Sequence, residues 1–211
     1  MTLTIFQLAA FFIYGLLALL SLFAVTIGIL KAAQFARLGV GSRKEAEQIL
    51  DDWLNGRVDQ AIKAASQRRS VLARVLQAVF SGIQARPGDT PYAEELSRQT
   101  AIIELASLSE RMRLLDMIVQ AAPMLGLLGT VVGMIDAFSV LAITEGAIDP
   151  TALASGIYVA LTTTAVGLCI ALIAFFIATW LETRIDRERN MMEAIMSAAI
   201  HGRVDPNSKF G

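Results

Sequence analysis

One histidine, His201, and one cysteine, Cys169, are all that this 211-residue sequence offers of those two residue types. That scarcity excludes an internal disulfide and a His/Cys metal centre. Cys169 falls in an apolar run, where a lone cysteine is expected to pack as a small core residue, and His201 falls in a polar tail, where solvation is expected. Net charge is −1 and no basic stripe is present, so nucleic acid is not an expected partner. Convincing strands are lacking, and with them any strand-borne glycine loop for phosphate. The parts for catalysis are missing too. Asp116 and Asp136 lie twenty residues apart, about 30 Å on one helix, too far for an aspartyl dyad, and Ser155 has no intramembrane histidine to activate it. No enzyme and no cofactor are expected.

Charge itself is absent from three blocks, residues 1–30, 117–135 and 150–181. The middle block alone spans about 28 Å as a helix, roughly one bilayer core. The expected fold is therefore an all-α membrane protein, with three transmembrane helices and long helices extending into a cytoplasmic helical domain. All eighteen Lys and Arg residues lie between Lys31 and Arg113 or after Glu182. By the positive-inside rule the N-terminus and residues 143–149 face outward. The expected order is a first span over 1–30 read as a retained anchor, a cytoplasmic domain over 31–113, and a second span over 114–142. An outer loop over 143–149, a third span over 150–181 and a cytoplasmic helix and tail over 182–211 follow.

Within the cytoplasmic domain, Ser42-Arg43-Lys44-Glu45 reads as a capping box before an amphipathic helix that Asn55-Gly56 ends. Further helices are expected over Val58–Ala65 and Val71–Ile83, with Arg68, Arg69 and Arg74 as a solvated face. After the break at 86–91, Thr90 is the expected cap and Pro91 the first helical residue. One long helix is then expected to run into the second span, bent at Pro123, because no strong breaker intervenes.

The second span carries Ala122-Pro-Met-Leu-Gly126-Leu-Leu-Gly129-Thr130-Val-Val-Gly133-Met-Ile-Asp136-Ala137. At ~100° per residue, Gly126, Thr130, Gly133 and Ala137 share a face with Gly129 beside it. The third span repeats the device with Gly156, Ala160, Thr163, Thr164, Gly167, Ala171, Ala174 and Ala178. Small residues let helices approach closely in lipid, and two such faces in one chain point to self-association. Asp136 has two readings. It is an intramembrane acid on an ion route, or a hydrated residue just past the outer boundary. Thr130, Thr163 and Thr164 offer hydroxyls that either bond their own backbone or line a path.

The run A-P-x-x-G-x-x-G-T-x-x-G, followed by Gly156-Ile157-Tyr158-Val159-Ala160-Leu161-Thr162-Thr163-Thr164-Ala165-Val166-Gly167-Leu168, resembles the last two spans of the TolQ/ExbB/MotA ion-channel subunits. The resemblance implies a bacterial inner-membrane subunit of ExbB/TolQ type, assembled as a homopentamer. It also implies a single-span partner like ExbD, TolR or MotB, with a membrane aspartate and two copies in the central pore. Thr130 and Thr164 match the threonines that line the ion path, and the driving force would be protonmotive. One departure is informative. Where the ExbB and TolQ branches carry a glutamate, this sequence has Val159, while Thr163 and Thr164 stand side by side as in sodium-driven stators. Oxygen ligands without a titratable acid suit a metal cation, so Na+ is an alternative to H+, with Thr130, Thr163 and Thr164 as its ligands. The alternative of another class is a membrane scaffold that conducts nothing.

Overall fold

The computed structural model describes residues 2–143 and 150–202, with side chains from Leu8 to Ser139, at Pro150 and Thr151, and from Leu153 to Gly202. The expected outer loop, beyond its first residue, and the tail after Gly202 lie outside the described residues. Among those described, seven helices follow in order. They are α1 (Thr2–Arg37), α2 (Arg43–Leu54), α3 (Val58–Gln67), α4 (Val71–Ala85), α5 (Thr90–Ser109), α6 (Met112–Ile143) and α7 (Pro150–His201). No strand occurs among the described residues, and three stretches are long and apolar enough to cross a membrane. This is an all-α membrane protein.

Two compact units divide the chain. One joins the chain up to Leu30 with Arg111–Thr179, and the other joins Lys31–Glu110 with the chain from Trp180 onward. In the first unit, α1 buries one face through Ile13, Leu17, Ala24 and Ile27, while Leu8, Phe11, Phe12 and Leu22 stay exposed. Large apolar side chains left outside suit a lipid environment, where hydrophobicity gives no reason to turn inward. Pro123 lies inside α6, which continues through it.

The second unit is built as in water. α4 is its centre, with Val71, Leu72, Val75, Leu76, Val79 and Phe80 at 1% exposure or less. Fully burying each such side chain stabilises the fold by about 1.5–3 kcal/mol. Trp53 of α2 stacks on Phe80 with ring centroids 4.2 Å apart, and its Nε1 donates to Ala199 O at 3.0 Å. α5 crosses α4 at Gly82, where a Cβ would lie 2.7 Å from Ala93 Cα, so only glycine permits this approach. Arg68 pairs with Glu45 and Arg74 with Glu104, so two of the three arginines expected to be merely solvated hold partners.

Three local expectations are corrected. Ser42 precedes α2 but its side chain makes no capping bond, because its backbone (φ −73°, ψ 47°) is not the extended form that aims the hydroxyl at the first turn. The cap of α5 is Asp89, whose Oδ1 accepts from Tyr92 N at 3.2 Å, so Thr90 is already helical. The long helix into the second span is interrupted. Glu110 is extended (φ −55°, ψ 136°) and Arg111 takes the left-handed φ of 68°, which ends α5 before α6 begins. The physical reason sits on α1. Lys31, 1% exposed, donates through Nζ to Leu108 O at 2.9 Å and Ser107 O at 3.5 Å, and Gln34 Nε2 donates to Ser107 O at 3.2 Å. An ammonium on the last carbonyls of α5 satisfies acceptors that helix ending leaves orphaned, and it lies at the favourable end of the helix dipole.

Glu188 is the other buried charge of this unit. It is 3% exposed, with Oε2 accepting from Gly41 N at 2.9 Å and Oε1 buried without a partner. Burial pushes its carboxyl above the ordinary 4.5, and the Gly41 hydrogen bond opposes this only in part. A raised folded pKa means that the folded state holds the proton more tightly than the unfolded one. Stability from this group is therefore present at low pH and declines as pH rises from 4.5 through the raised value. Glu188→Gln should flatten that limb of the stability curve, measured by thermal melting across pH. An unchanged slope would show that the carboxyl is not desolvated.

Candidate functional site

In the membrane unit the two small-residue faces meet each other. A Cβ on Gly126 would lie 3.0 Å from Thr163 O and from Thr164 Cα. On Gly133 it would lie 2.8 Å from Ala160 Cβ, and on Gly156 it would lie 2.6 Å from Ala137 Cβ. At Gly167 the Cβ would stand 2.5 Å from Ala122 O and 3.1 Å from Gly126 Cα. α6 and α7 are thus in near backbone contact over several turns. The glycines expected to mediate self-association are occupied within one chain, because a closely matched partner face lies next in the sequence. What α7 leaves outside is large and apolar: Tyr158, Leu161, Leu172 and Phe176 are all more than half exposed.

The threonines divide between two places. Thr163, 3% exposed, lies with Oγ1 2.6 Å from Ala160 O and 3.2 Å from Gly126 O. Thr164 Oγ1 donates to the same Gly126 carbonyl at 2.9 Å. A Cβ on Gly129 would lie 2.5 Å from Thr163 Oγ1, so that glycine makes room for the hydroxyl. Two hydroxyl oxygens and two carbonyl oxygens therefore gather at the α6–α7 contact. Such neutral oxygens can accept from a hydrated proton, or replace the hydration of a cation, without burying a charge.

Thr130 is placed otherwise. Its Oγ1 donates to Leu127 O of its own helix at 2.6 Å, and its side chain lines an open groove of about 630 Å3 with Val131, Met134, Ile135, Phe138 and Ser139. The structure brings Thr163 and Thr164 onto Gly126 but leaves the Thr130 hydroxyl on α6. Asp136 is half-buried, and its Oδ1 is buried without a hydrogen-bond partner. A buried carboxylate oxygen left without a hydrogen bond in an apolar helix is costly. Val159 is nearly half exposed. Cys169 is exposed on α7, contrary to the expected core position, because its neighbours Ala171 and Ala174 take the buried face. Among the described residues no three His, Cys, Asp or Glu side chains gather to hold a metal.

Sequence reasoning missed the Gly126 carbonyl, since an acceptor on the main chain has no residue signature. It also missed Lys31 and Glu188, although a signal existed. Lys31 falls at the four-residue spacing of the buried Ile27 and Phe35, and Glu188 at the spacing of the buried Ile185 and Met192.

A family model described as the MotA/TolQ/ExbB proton channel family matches residues 63–194, which include both glycine motifs. The chain belongs to that family. An ExbB homolog of Methanothermobacter thermautotrophicus, named as a biopolymer transport protein, is 31% identical over 69% of this chain and 54% of its own length. A biopolymer transport protein ExbB-like 1 of a Synechocystis species is 34% identical over 76% of this chain and 63% of its own. The biopolymer transport protein exbB1 of Vibrio cholerae is 46% identical over a shorter stretch, 39% of this chain and 36% of its own. The match thus spans between about a third and two thirds of these ExbB relatives.

The close approach of α6 and α7 depends on their glycines, which makes the contact testable. Gly167→Ala should cost about 1–3 kcal/mol, since a methyl group against a backbone carbonyl forces the helices apart. Thermal melting in mild detergent should show a clear drop. Gly28→Ala is the control, because its Cβ would meet only the Ile177 side chain at 3.2 Å. Equal melting of the two variants would count against this packing.

Proposed function

We propose that this protein is an ion-conducting motor subunit of the bacterial inner membrane, its N-terminus periplasmic and its C-terminus cytoplasmic. It would use the protonmotive force, with a single-span partner of ExbD, TolR or MotB type, to drive work in the periplasm or at the outer membrane. Family membership supports the class, and the names of the ExbB relatives support biopolymer transport as the process. The observation that carries the reading is the gathering of Thr163 and Thr164 on the Gly126 carbonyl, inside the glycine contact formed by the two motif spans.

In this reading five copies surround the partner's helix. Ions enter from the outer side near Asp136, whose unpaired Oδ1 attracts positive charge. They pass hydroxyls of Thr130 and Thr164 and neutralise an aspartate that the partner supplies. Thr130 lines a groove that Thr164 does not, so the two hydroxyls would line one path only once a further helix covers that groove. Val159 leaves the last span without a carboxylate of its own, so the chain without its partner would conduct little. The same residue favours a second reading. Neutral oxygens at Thr163 and Thr164 without an adjacent acid are a chemistry suited to Na+.

The test is affinity purification from native membranes, identification of the co-purifying single-span protein, and ion flux through the reconstituted complex. Thr164→Ala should leave assembly intact and lower flux about tenfold or more, the effect of one lost hydrogen-bonding oxygen on a path. Thr164→Ser should restore it. Flux that follows pH without sodium identifies H+, and flux that follows sodium independently of pH identifies Na+. A stable oligomer that passes neither ion would establish the non-conducting scaffold instead.

A further inference from the structure

A pocket of about 530 Å3 in the second unit is lined by Val40, Gly41, Arg43, Leu72, Arg184, Arg187, Glu188 and Met191, among others. Its lining includes the buried Glu188, with Oε1 unpartnered, and the exposed side chains of Arg43, Arg184 and Arg187. Arg43 is shared with Glu47 at 2.7 Å. Arg184 and Arg187 form no ion pair with the described residues, and Arg184 lies 5.4 Å from the Trp180 ring. Two available cations beside one desolvated acceptor that they do not neutralise is an unusual arrangement for a surface that binds nothing.

Depth along α7 narrows the ligand. Trp180 and Leu181 end the uncharged third block, and tryptophan favours the membrane interface. Arg184 and Arg187 follow four and seven residues beyond Trp180, about 6 and 10 Å along the helix at ~1.5 Å per residue. The polar layer on each side of a bilayer core is roughly 5–8 Å thick. Counted from Trp180, Arg184 thus falls within that polar layer and Arg187 just past it.

We propose that this pocket binds the head group of a primary-amine phospholipid, with the phosphate on Arg184 and Arg187 and the ammonium on Glu188 Oε1. Guanidinium groups recognise phosphate through charge-assisted hydrogen bonds. The ammonium supplies the donor that Oε1 lacks and offsets the desolvation of the carboxylate. Gly41 fixes the carboxylate from the other side through its N–H, and its φ of 92° keeps a side chain from that position. A head group there would tie the end of the third span to the turn between α1 and α2. The site stands apart from the ion path, and its test needs neither partner nor gradient.

The full chain, purified in mild detergent and depleted of lipid, is titrated with dioctanoyl phosphatidylethanolamine, dioctanoyl phosphatidylcholine or inorganic phosphate, with native mass spectrometry and melting as readouts. Phosphatidylethanolamine should bind about tenfold or more tightly than phosphatidylcholine, whose quaternary nitrogen has no proton to donate. The double variant Arg184→Gln/Arg187→Gln should weaken it by a similar factor. Glu188→Gln should bring the two lipids to parity, because the amide that replaces Oε1 donates rather than accepts. Should the double variant fail to fold, Arg187→Gln alone, at an exposed residue, is read in its place. Equal binding of the two lipids by the parent, or phosphatidylethanolamine binding indifferent to the arginines, overturns the proposal. Inorganic phosphate that binds as well as the lipid also overturns it, identifying a site for free anions.

Discussion

Everything in the membrane unit depends on how closely α6 and α7 approach. Five glycines on these helices would each place a Cβ 3.0 Å or less from an atom of the facing helix. Association in lipid draws on dispersion and interhelical hydrogen bonds, because burying apolar surface gains nothing against hydrocarbon. Close approach strengthens both. It brings backbone against backbone, and it places the Gly126 carbonyl within reach of two threonine hydroxyls. Had the helices packed on leucines, the same hydroxyls would have had only their own helix to bond. The polar site is thus a consequence of the glycines, and the large residues of α7 are left for the outer surface.

That outer surface decides what one chain can do. With its small faces occupied internally, the chain offers a second copy only its exposed apolar faces, such as those with Phe11 and Phe12 on α1 and Tyr158 and Leu161 on α7. Large side chains pack less closely than glycine but offer more dispersion contact per residue. An interface built on them leaves room for grooves. The one beside Thr130 and Phe138 is such a space, and among the described residues it stands open.

Much of this was legible in the sequence, and the reasons are physical. Three blocks without charge read directly as helices for lipid, since no other surroundings tolerate them at that length. The glycine stripes were legible as close contacts, but not which helix they contact. A small residue specifies a short distance and no partner, and the intrachain match between Gly133 and Ala160 emerges only in three dimensions. The end of α5 was illegible for another reason. No glycine or proline marks it, and the left-handed residue is Arg111. Its cause is a lysine some eighty residues earlier, whose ammonium competes for the carbonyls that a continuing helix would have used. Asp89 took the cap from Thr90 because a carboxylate one position earlier accepts from the first turn at least as well as a hydroxyl.

Unpaired polar atoms carry the last step of the argument. Native folds satisfy nearly all buried donors and acceptors, so the few exceptions mark places where something else completes the structure. Among the described residues the buried side-chain atoms without partners are Asp136 Oδ1, Glu188 Oε1 and Arg74 Nε. Arg74 is the least informative, because its Nη2 still holds Glu104 at 2.7 Å. The other two are carboxylate oxygens. One lies on the apolar α6, the other one helical turn beyond Arg184 at the end of the third span. A chain that folded to be complete alone would have little reason to keep either. Both deficits are of positive charge, and both lie near the ends of spans. Mobile cations, a partner helix and lipid head groups are what a membrane brings to those two levels.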